Sequence, residues 1–245
     1  MGRGWKRFVA LSLTACCAAL AGCGTQGESK TPAKPAAING DSPAVAAPGT
    51  ATPAGPALNG APAGSAMVVG PPADPLHPKV KIETSLGDLI VELDGANAEL
   101  TVNHFLTNYV DAGYYTQTIF HQVFKGYVVV GGSFTPEGKE KAAKFSVRNE
   151  AHNGLKNVRG TIALARQPDV RDSARAQFFI NAADNPTLDH KDDNSAVTYG
   201  YCVFGHVVRG LDVLDRIASV PVKDTSNFQS TPIEPVLIKS IRRVP

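Results

Sequence analysis

The sequence lacks an excess of charge of either sign. Its 245 residues include 24 Lys and Arg against 22 Asp and Glu, a formal net charge of +2. Residues 79–245 carry equal numbers of basic and acidic side chains. Nucleic acids and anionic membranes attract proteins with a net basic field or a basic stripe interleaved with aromatic residues, and neither is present. We therefore expect no nucleic-acid partner.

The spacings that mark metal and hydrolase sites are also missing. There is no Cys-x-x-Cys, His-Glu-x-x-His or Asp-x-Asp-x-Asp-Gly, and the six histidines are scattered along the chain. We therefore expect no metal site and no cofactor. No Gly-x-Ser-x-Gly elbow indicates a hydrolase. The charged run at residues 189–193 offers oxygen ligands for a cation, but such runs are more typical of a solvated turn.

The sequence has only four cysteines, and three of them lie at the N-terminus. There, a basic beginning is followed by an apolar run at residues 8–20 and by Leu20-Ala21-Gly22-Cys23. This pattern resembles a bacterial lipoprotein signal peptide over residues 1–22, with Cys23 as the lipidated mature N-terminus. The alternative, an uncleaved anchor helix, is disfavoured because the run is shorter than the ~20 residues that span a bilayer. We expect an exported protein that faces the periplasm or cell exterior and contacts the membrane through its N-terminal lipid only.

The remaining cysteine, Cys202, has no partner for an intramolecular disulfide once the N-terminal cysteines are processed or lipidated. It lies in an apolar stretch of the sequence. We expect it to be a small buried side chain.

Residues 23–78 lack aromatic side chains and contain 11 of the 18 prolines. A segment rich in alanine, proline and glycine with few charges cannot bury a core. We interpret it as a disordered, semi-stiff tether. The alternative, a proline-rich ligand for another domain, is disfavoured because no spaced basic residues define a docking motif.

Residues 79–245 have the length of one ordinary domain with a sizeable core. Alternating or apolar runs predict strands, and 3.6-residue periodicity predicts two helices. Asn97 is expected to cap the first helix and Gly113 to end it, with Leu100 on its apolar face. The predicted strands are residues 80–84, 88–93, 119–124, 127–130, 161–165, 178–181, 203–208 and 236–243. Many short strands with few helices indicate a mainly β barrel or sandwich.

Residues 120–134 form the most informative stretch. Period-2 alternation puts Phe120, Gln122 and Phe124 on one face of a strand, and Lys125-Gly126 supplies a turn. The same alternation puts His121 on the opposite face, where we expect a hydrogen-bonded core imidazole.

The pattern Phe-His-x-x-x-x-Gly-aromatic-x-x-x-Gly-Gly over residues 120–132 resembles the signature hairpin of the cyclophilins, a family of peptidyl-prolyl isomerases. Residues 154–166, 176–181 and 200–205 are similar to further parts of the bacterial cyclophilin core. The resemblance covers residues 80–244. It implies a mainly β fold, a closed eight-stranded antiparallel barrel capped by two helices. It also implies a monomer that binds proline-containing polypeptides and accelerates X-Pro isomerisation during the folding of exported proteins.

The resemblance also implies a set of site residues. Gln122 and Gln177 take the catalytic positions. The substrate-binding positions are Tyr127, Val128, Val130, Ala165, Arg166, Phe179, Leu188 and Tyr201. For Phe179 and Leu188, plain core packing is an alternative interpretation.

The sequence departs from the family mostly within this site. Gln122 stands where the family has its catalytic arginine, Tyr127 replaces phenylalanine, Val128 replaces methionine and Val130 replaces glutamine. Thr187 replaces a frequent tryptophan or phenylalanine, and the family's cyclosporin binding draws on that tryptophan. A neutral donor is weaker than a charged one, so we expect slowed turnover. The alternative function is a largely non-catalytic proline-peptide binding or chaperone-like module.

Overall fold

The computed structural model describes residues 74–245. The predicted signal peptide at residues 1–22, the lipidation site Cys23 and almost all of the predicted tether therefore lie outside the described residues. Between residues 74 and 245 no helix is long and apolar enough to cross a membrane.

Eight strands close into an antiparallel barrel, as the resemblance implied. The strands of the described chain are β1 (Lys79–Thr84), β2 (Gly87–Leu93), β3 (Thr118–Phe124), β4 (Val128–Gly131), β5 (Thr161–Leu164), β6 (Phe178–Asn181), β7 (Val203–Arg209), β8 (Val222–Lys223), β9 (Thr231–Pro232) and β10 (Val236–Val244). The order around the barrel is β1-β10-β3-β4-β6-β5-β7-β2, and β8 pairs with β9 in a separate ribbon.

Three α-helices accompany the barrel in the described part of the chain. They are α1 (Glu99–Phe105), which continues into a π-helical turn (Leu106–Val110), α2 (Ala196–Tyr199) and α3 (Leu211–Ala218). Two 3₁₀ turns lie at Ala151–Asn153 and Pro186–Leu188. The two longer helices are those the sequence predicted, whereas the four-residue α2 was not expected.

The start of α1 differs from the prediction. Asn97 does not cap the helix, because its side-chain amide donates to the carboxylate of Asp94. The carboxylate of Glu150 accepts instead from the backbone N–H groups of Leu100 and Thr101, at 3.3 and 2.8 Å. A negative charge at a helix N-terminus is favourable, so a residue far along the chain does the capping. Leu100 was expected on the apolar face, but it is 49% exposed.

The barrel interior is filled by alternate strand residues and by α1. Phe105 of α1 packs with Phe178 and Phe204, with ring centroids 6.2 and 5.1 Å apart, and all three are fully buried. The Phe105–Phe178 pair packs edge to face, and such aromatic packing adds to the stabilisation from burial. Cys202 is buried, which confirms its predicted environment, and burial raises the pKa of its thiol to about 12.

Candidate active site

A second apolar cluster lies on the outer face of the barrel wall formed by β4, β6 and β5. Strand alternation explains it, because Val129, Ile162 and Ile180 face the interior while their neighbours along the strands face outward. The buried members of the outer cluster are Phe124, Val128, Val130, Ala163, Ala165, Phe179, Leu188 and Val203, and Tyr127, Leu155 and Tyr201 pack against it.

Phe179 lies at the centre of this outer cluster. In the strand ladders it pairs with Val130 on β4 and with Ala163 on β5. Residues directly opposite on neighbouring strands project from the same face, so the phenyl ring is flanked by two small side chains. The Tyr201 ring lies 5.6 Å away, edge to face. This arrangement suits a compact apolar group such as a proline ring.

A β-bulge sets the position of Gln122. The register of β3 against β4 shifts between Phe120, which pairs with Gly131, and Gln122, which pairs with Val130. Phe120 consequently faces the barrel core, while Gln122 shares the outer face with Val130. The prediction that Phe120, Gln122 and Phe124 share one face was therefore wrong for Phe120, because the extra residue of the bulge reverses the alternation.

The side chain of Gln122 is 2% exposed, and its amide nitrogen donates to the backbone carbonyl of Gln229 at 3.2 Å. A glutamine amide nitrogen carries two N–H donors, so this contact uses one of them. The site thus holds a neutral donor beside the outer cluster around Phe179. The orientation of this donor is fixed by its contact with the loop before β9.

Arg166 is buried and its guanidinium is engaged by backbone carbonyls. Nε donates to Gly200 at 3.0 Å, Nη1 donates to Gln167 and Pro168 at 2.8 Å each, and Nη2 donates to Ala196. Burial lowers the pKa of this guanidinium from its usual value. Arg166 therefore ties the chain after β5 to the segment around α2, and most of its donors are already used.

Gln177 is half-buried beside a cleft of about 350 Å³ that adjoins the outer cluster. Its backbone carbonyl accepts from the N–H of Ala165 at 2.9 Å, so the two residues continue the β5–β6 pairing. Arg166 and Arg175 also line this cleft. The cleft places polar side chains where an extended peptide leaving the Phe179 pocket would pass.

Two of the departures from the family contact each other. Burial raises the pKa of Tyr127 to about 12, and a side-chain hydrogen bond with Thr187 opposes that rise. The loop that carries Thr187 is anchored, because Asn185 donates to the Tyr127 carbonyl at 2.9 Å. The backbone N–H of Tyr201 in turn donates to the carbonyl of Leu188 at 2.9 Å. A polar pair thus occupies a part of the rim where the family has aromatic surface.

His121 lies outside the main barrel core, and its Nδ1 makes no hydrogen bond in the described structure. It is buried between Phe134 and Phe228, with ring centroids 4.7 and 5.0 Å away. The expected burial of this imidazole is confirmed, but the expected hydrogen bond is missing at Nδ1. Burial without a compensating hydrogen bond lowers the pKa of this imidazole to about 3.

A family model described as cyclophilin type peptidyl-prolyl cis-trans isomerase matches residues 79–243. The chain belongs to the cyclophilin family. Peptidyl-prolyl cis-trans isomerase A of Dickeya dadantii is 44% identical over 163 residues, covering 66% of this chain and 83% of that protein. Peptidyl-prolyl cis-trans isomerase B of Escherichia coli is 44% identical over 162 residues, covering 66% and 97%.

Solved cyclophilin structures agree with the fold. A cyclophilin-type peptidyl-prolyl cis-trans isomerase of Cryptosporidium parvum superposes with a TM-score of 0.59 at 28% identity, covering 69% of this chain and 98% of that one. The same parasite protein was also solved in the presence of the dipeptide Ala-Pro, and that structure gives a TM-score of 0.58.

The cyclophilin barrel brings most of the site residues that the resemblance implied into one place. The residues inside or against the outer cluster are Tyr127, Val128, Val130, Ala165, Phe179, Leu188 and Tyr201. Sequence reasoning missed Ala163, although its position two residues before Ala165 on one strand was a usable signal. It also missed Phe228 and Gln229, which no local pattern connects to β3.

Proposed function

We propose that this cyclophilin accelerates cis-trans isomerisation of X-Pro bonds in polypeptides, at a lower rate than relatives with the family arginine. The observation that carries the proposal is the outer apolar cluster around Phe179, with the Gln122 amide on the same face. The names of the bacterial relatives and the structure of the Cryptosporidium parvum protein in the presence of the dipeptide Ala-Pro support the same reaction.

The proposed reaction requires neither a nucleophile nor an acid-base pair. The barrier to rotation about the peptide bond is ~18–20 kcal/mol and arises from amide resonance. When the bond twists, the lone pair returns to the prolyl nitrogen, and a donor directed at that nitrogen stabilises the twisted state. In the proposed complex the proline ring packs on Phe179, where apolar side chains exclude competing water.

In this mechanism Gln122 donates to the prolyl nitrogen through the N–H that Gln229 does not use. A neutral donor makes a hydrogen bond about half as strong as that of an arginine. A deficit of ~1.5–3 kcal/mol in the transition state corresponds to turnover that is roughly ten to two hundred times slower.

The polypeptide on either side of the proline is held by the cleft next to the pocket. Ala165 borders both regions, and Gln177 lines the cleft, where it takes the second catalytic position by contacting the substrate carbonyl. Arg166 also lines the cleft, and it contributes mainly by holding backbone carbonyls, including that of its cleft neighbour Gln167.

The experiment that tests the function is NMR exchange spectroscopy, which measures the rate of cis-trans interconversion in Ala-Pro peptides with and without the full chain. We expect faster exchange with the wild type and much weaker peptide binding with Phe179→Ala, because the ring contact is lost. Ile233→Ala is a matched control, since Ile233 is 53% exposed and lies outside the pocket. Peptide binding without any acceleration would favour the alternative, a proline-peptide binding module.

We also propose that the protein is exported and held at a bacterial membrane through lipid on Cys23, acting as a monomer. The basic start, the apolar run and the Leu20–Cys23 sequence support this proposal. Cys23→Ala should yield an unlipidated, soluble or unprocessed species, whereas wild type should require detergent for extraction. Identical mass and fractionation of the two proteins would refute the lipid anchor.

A further inference from the structure

The loop at residues 224–230 contacts β3 at the position of the proposed donor. Its Gln229 carbonyl accepts from the Gln122 amide at 3.2 Å, and its Ser230 carbonyl accepts from the backbone N–H of Val123 at 2.9 Å. Two consecutive loop carbonyls therefore bind two consecutive residues of β3. The orientation of the Gln122 amide depends on where this loop lies.

The ring of Phe228 holds the loop against the strand. Its centroid lies 5.0 Å from the His121 ring and 4.7 Å from the Phe134 ring, and these two rings are themselves 4.7 Å apart. His121 is buried beneath Phe228, and ring packing is the contact between these two side chains that the structure records. Phe228 is thus anchored to the residue that immediately precedes Gln122.

The backbone on the far side of Phe228 is held in an unfavourable conformation. Ser230 has a φ of 52°, in the left-handed region that non-glycine residues rarely adopt. A hydrogen bond from its N–H to the Asp224 carboxylate, at 2.9 Å, helps to hold it there. Such conformations persist where surrounding contacts enforce them, so loss of the Phe228 ring would let the loop relax away from β3.

We propose that Phe228 is a positioning residue for the isomerase reaction, acting through the Gln229 carbonyl to orient the Gln122 amide. This inference rests on the proposed function. Without the ring, the loop carbonyl moves and the Gln122 side chain gains rotamers in which its remaining N–H no longer faces the prolyl nitrogen. Preorganised donors act mainly on the transition state, so the loss appears in kcat while KM, set by the Phe179 pocket, stays nearly constant.

The test compares the full-length wild type with Phe228→Ala, Phe228→Tyr and the control Ile233→Ala. We expect Phe228→Ala to lower kcat about three- to tenfold with little change in KM. Phe228→Tyr should retain most of the activity, because it keeps the ring. In a Gln122→Ala background the further substitution Phe228→Ala should have no additional effect. Equal losses in both backgrounds would overturn the positioning role and indicate a general structural one.

NMR of the Gln122 side-chain amide gives a readout that does not depend on activity. Its two proton signals are assigned by their disappearance in Gln122→Ala. In the wild type we expect the two amide protons to have dispersed chemical shifts and to exchange slowly with water. In Phe228→Ala we expect shifts typical of an unstructured glutamine and rapid exchange with water. Unchanged signals would overturn the proposal even if the rate fell. A wild type without activity would refute the proposed function, whereas an active wild type with an unaffected Phe228→Ala would refute the positioning role alone.

Discussion

The guanidinium carbon of Arg166 lies 4.7 Å from the centroid of the Tyr201 ring, while its nitrogens donate to the backbone carbonyls of four residues. One side chain thus joins the end of β5, the segment around α2 and the aromatic rim of the proline pocket. A planar fork with five donors can make all these contacts at once, whereas a lysine ammonium with three donors cannot.

We therefore predict that Arg166→Lys lowers the free energy of unfolding by about 2–4 kcal/mol, because buried carbonyls lose their donors. Urea unfolding of the full chain measures this change. Arg209→Lys is the matched control, since Arg209 is exposed on β7 and should change stability by less than about 0.5 kcal/mol. Equal stability of the two variants would contradict the structural role of Arg166.

The rim formed by Tyr127 and Thr187 leads to a prediction for cyclosporin. Thr187 is exposed and lacks the aromatic surface that the family uses for this ligand. We expect weak binding to the wild type. Thr187→Trp should increase affinity about tenfold or more, because a large aromatic side chain with an N–H donor is a typical binding hot spot. Calorimetry measures both values, and Thr107→Trp at an exposed position on the π-helical turn is the control.

If the wild type already binds cyclosporin tightly, or if Thr187→Trp changes nothing, then the alignment of the 3₁₀ turn at Pro186–Leu188 with the family's aromatic position is incorrect.

The lowered pKa of His121 should make the free energy of unfolding depend on pH in a specific way. Its pKa is about 3 in the folded protein and near 6.5 in an unfolded chain, so the unfolded state binds the proton first as pH falls. Stability is therefore complete above pH ~6.5 and declines from there towards pH 3, by up to about 1.4 kcal/mol per unit for this group. His121→Phe should remove that part of the slope and also remove the unpartnered Nδ1.

Urea unfolding between pH 7 and 5 tests this prediction, because most carboxylates remain ionised in that range. Burial also lowers the pKa of His104, which stays in the variant and continues to contribute to the pH dependence. The same pH dependence in wild type and His121→Phe would show that the imidazole is protonated without cost in the folded state.

The barrel could be predicted because its signals are local. The turn at Gly126 and the glycine pair at residues 131–132 mark the hairpin, and in the structure Val129 faces the core while Val128 and Val130 face outward, as strand alternation requires. The bulge at His121 left no such mark, because it depends on how β3 pairs with β4 and not on residue type. A one-residue shift was enough to put Phe120 on the wrong face.

The candidate site was predictable only where the family motif extends. The outer-face position of Phe179 follows from its neighbours Phe178 and Ile180, which face the core. The contact between Gln122 and Gln229 joins residues 107 positions apart, and it arises from the irregular loop before β9. Likewise, Glu150 caps α1 from a distant segment. Contacts made by loops across long sequence separations leave no periodic signal, so only the structure reveals them.

Gln122 stands where the cyclophilin family has its catalytic arginine. An arginine at position 122 would carry five donors, so it could keep the contact with the Gln229 carbonyl and still donate to the prolyl nitrogen. We expect Gln122→Arg to raise kcat/KM by about tenfold or more, since a charged donor adds transition-state stabilisation of about 1.5 kcal/mol. Peptide affinity should hardly change, because the interaction strengthens as the amide twists. The exchange assay with Ala-Pro peptides measures both. Gln122→Lys is the matched control for charge without the planar fork, and it should gain less. An unchanged rate in Gln122→Arg, together with loss of peptide binding in Phe179→Ala, would identify the protein as a proline-peptide binder whose remaining pocket substitutions prevent catalysis.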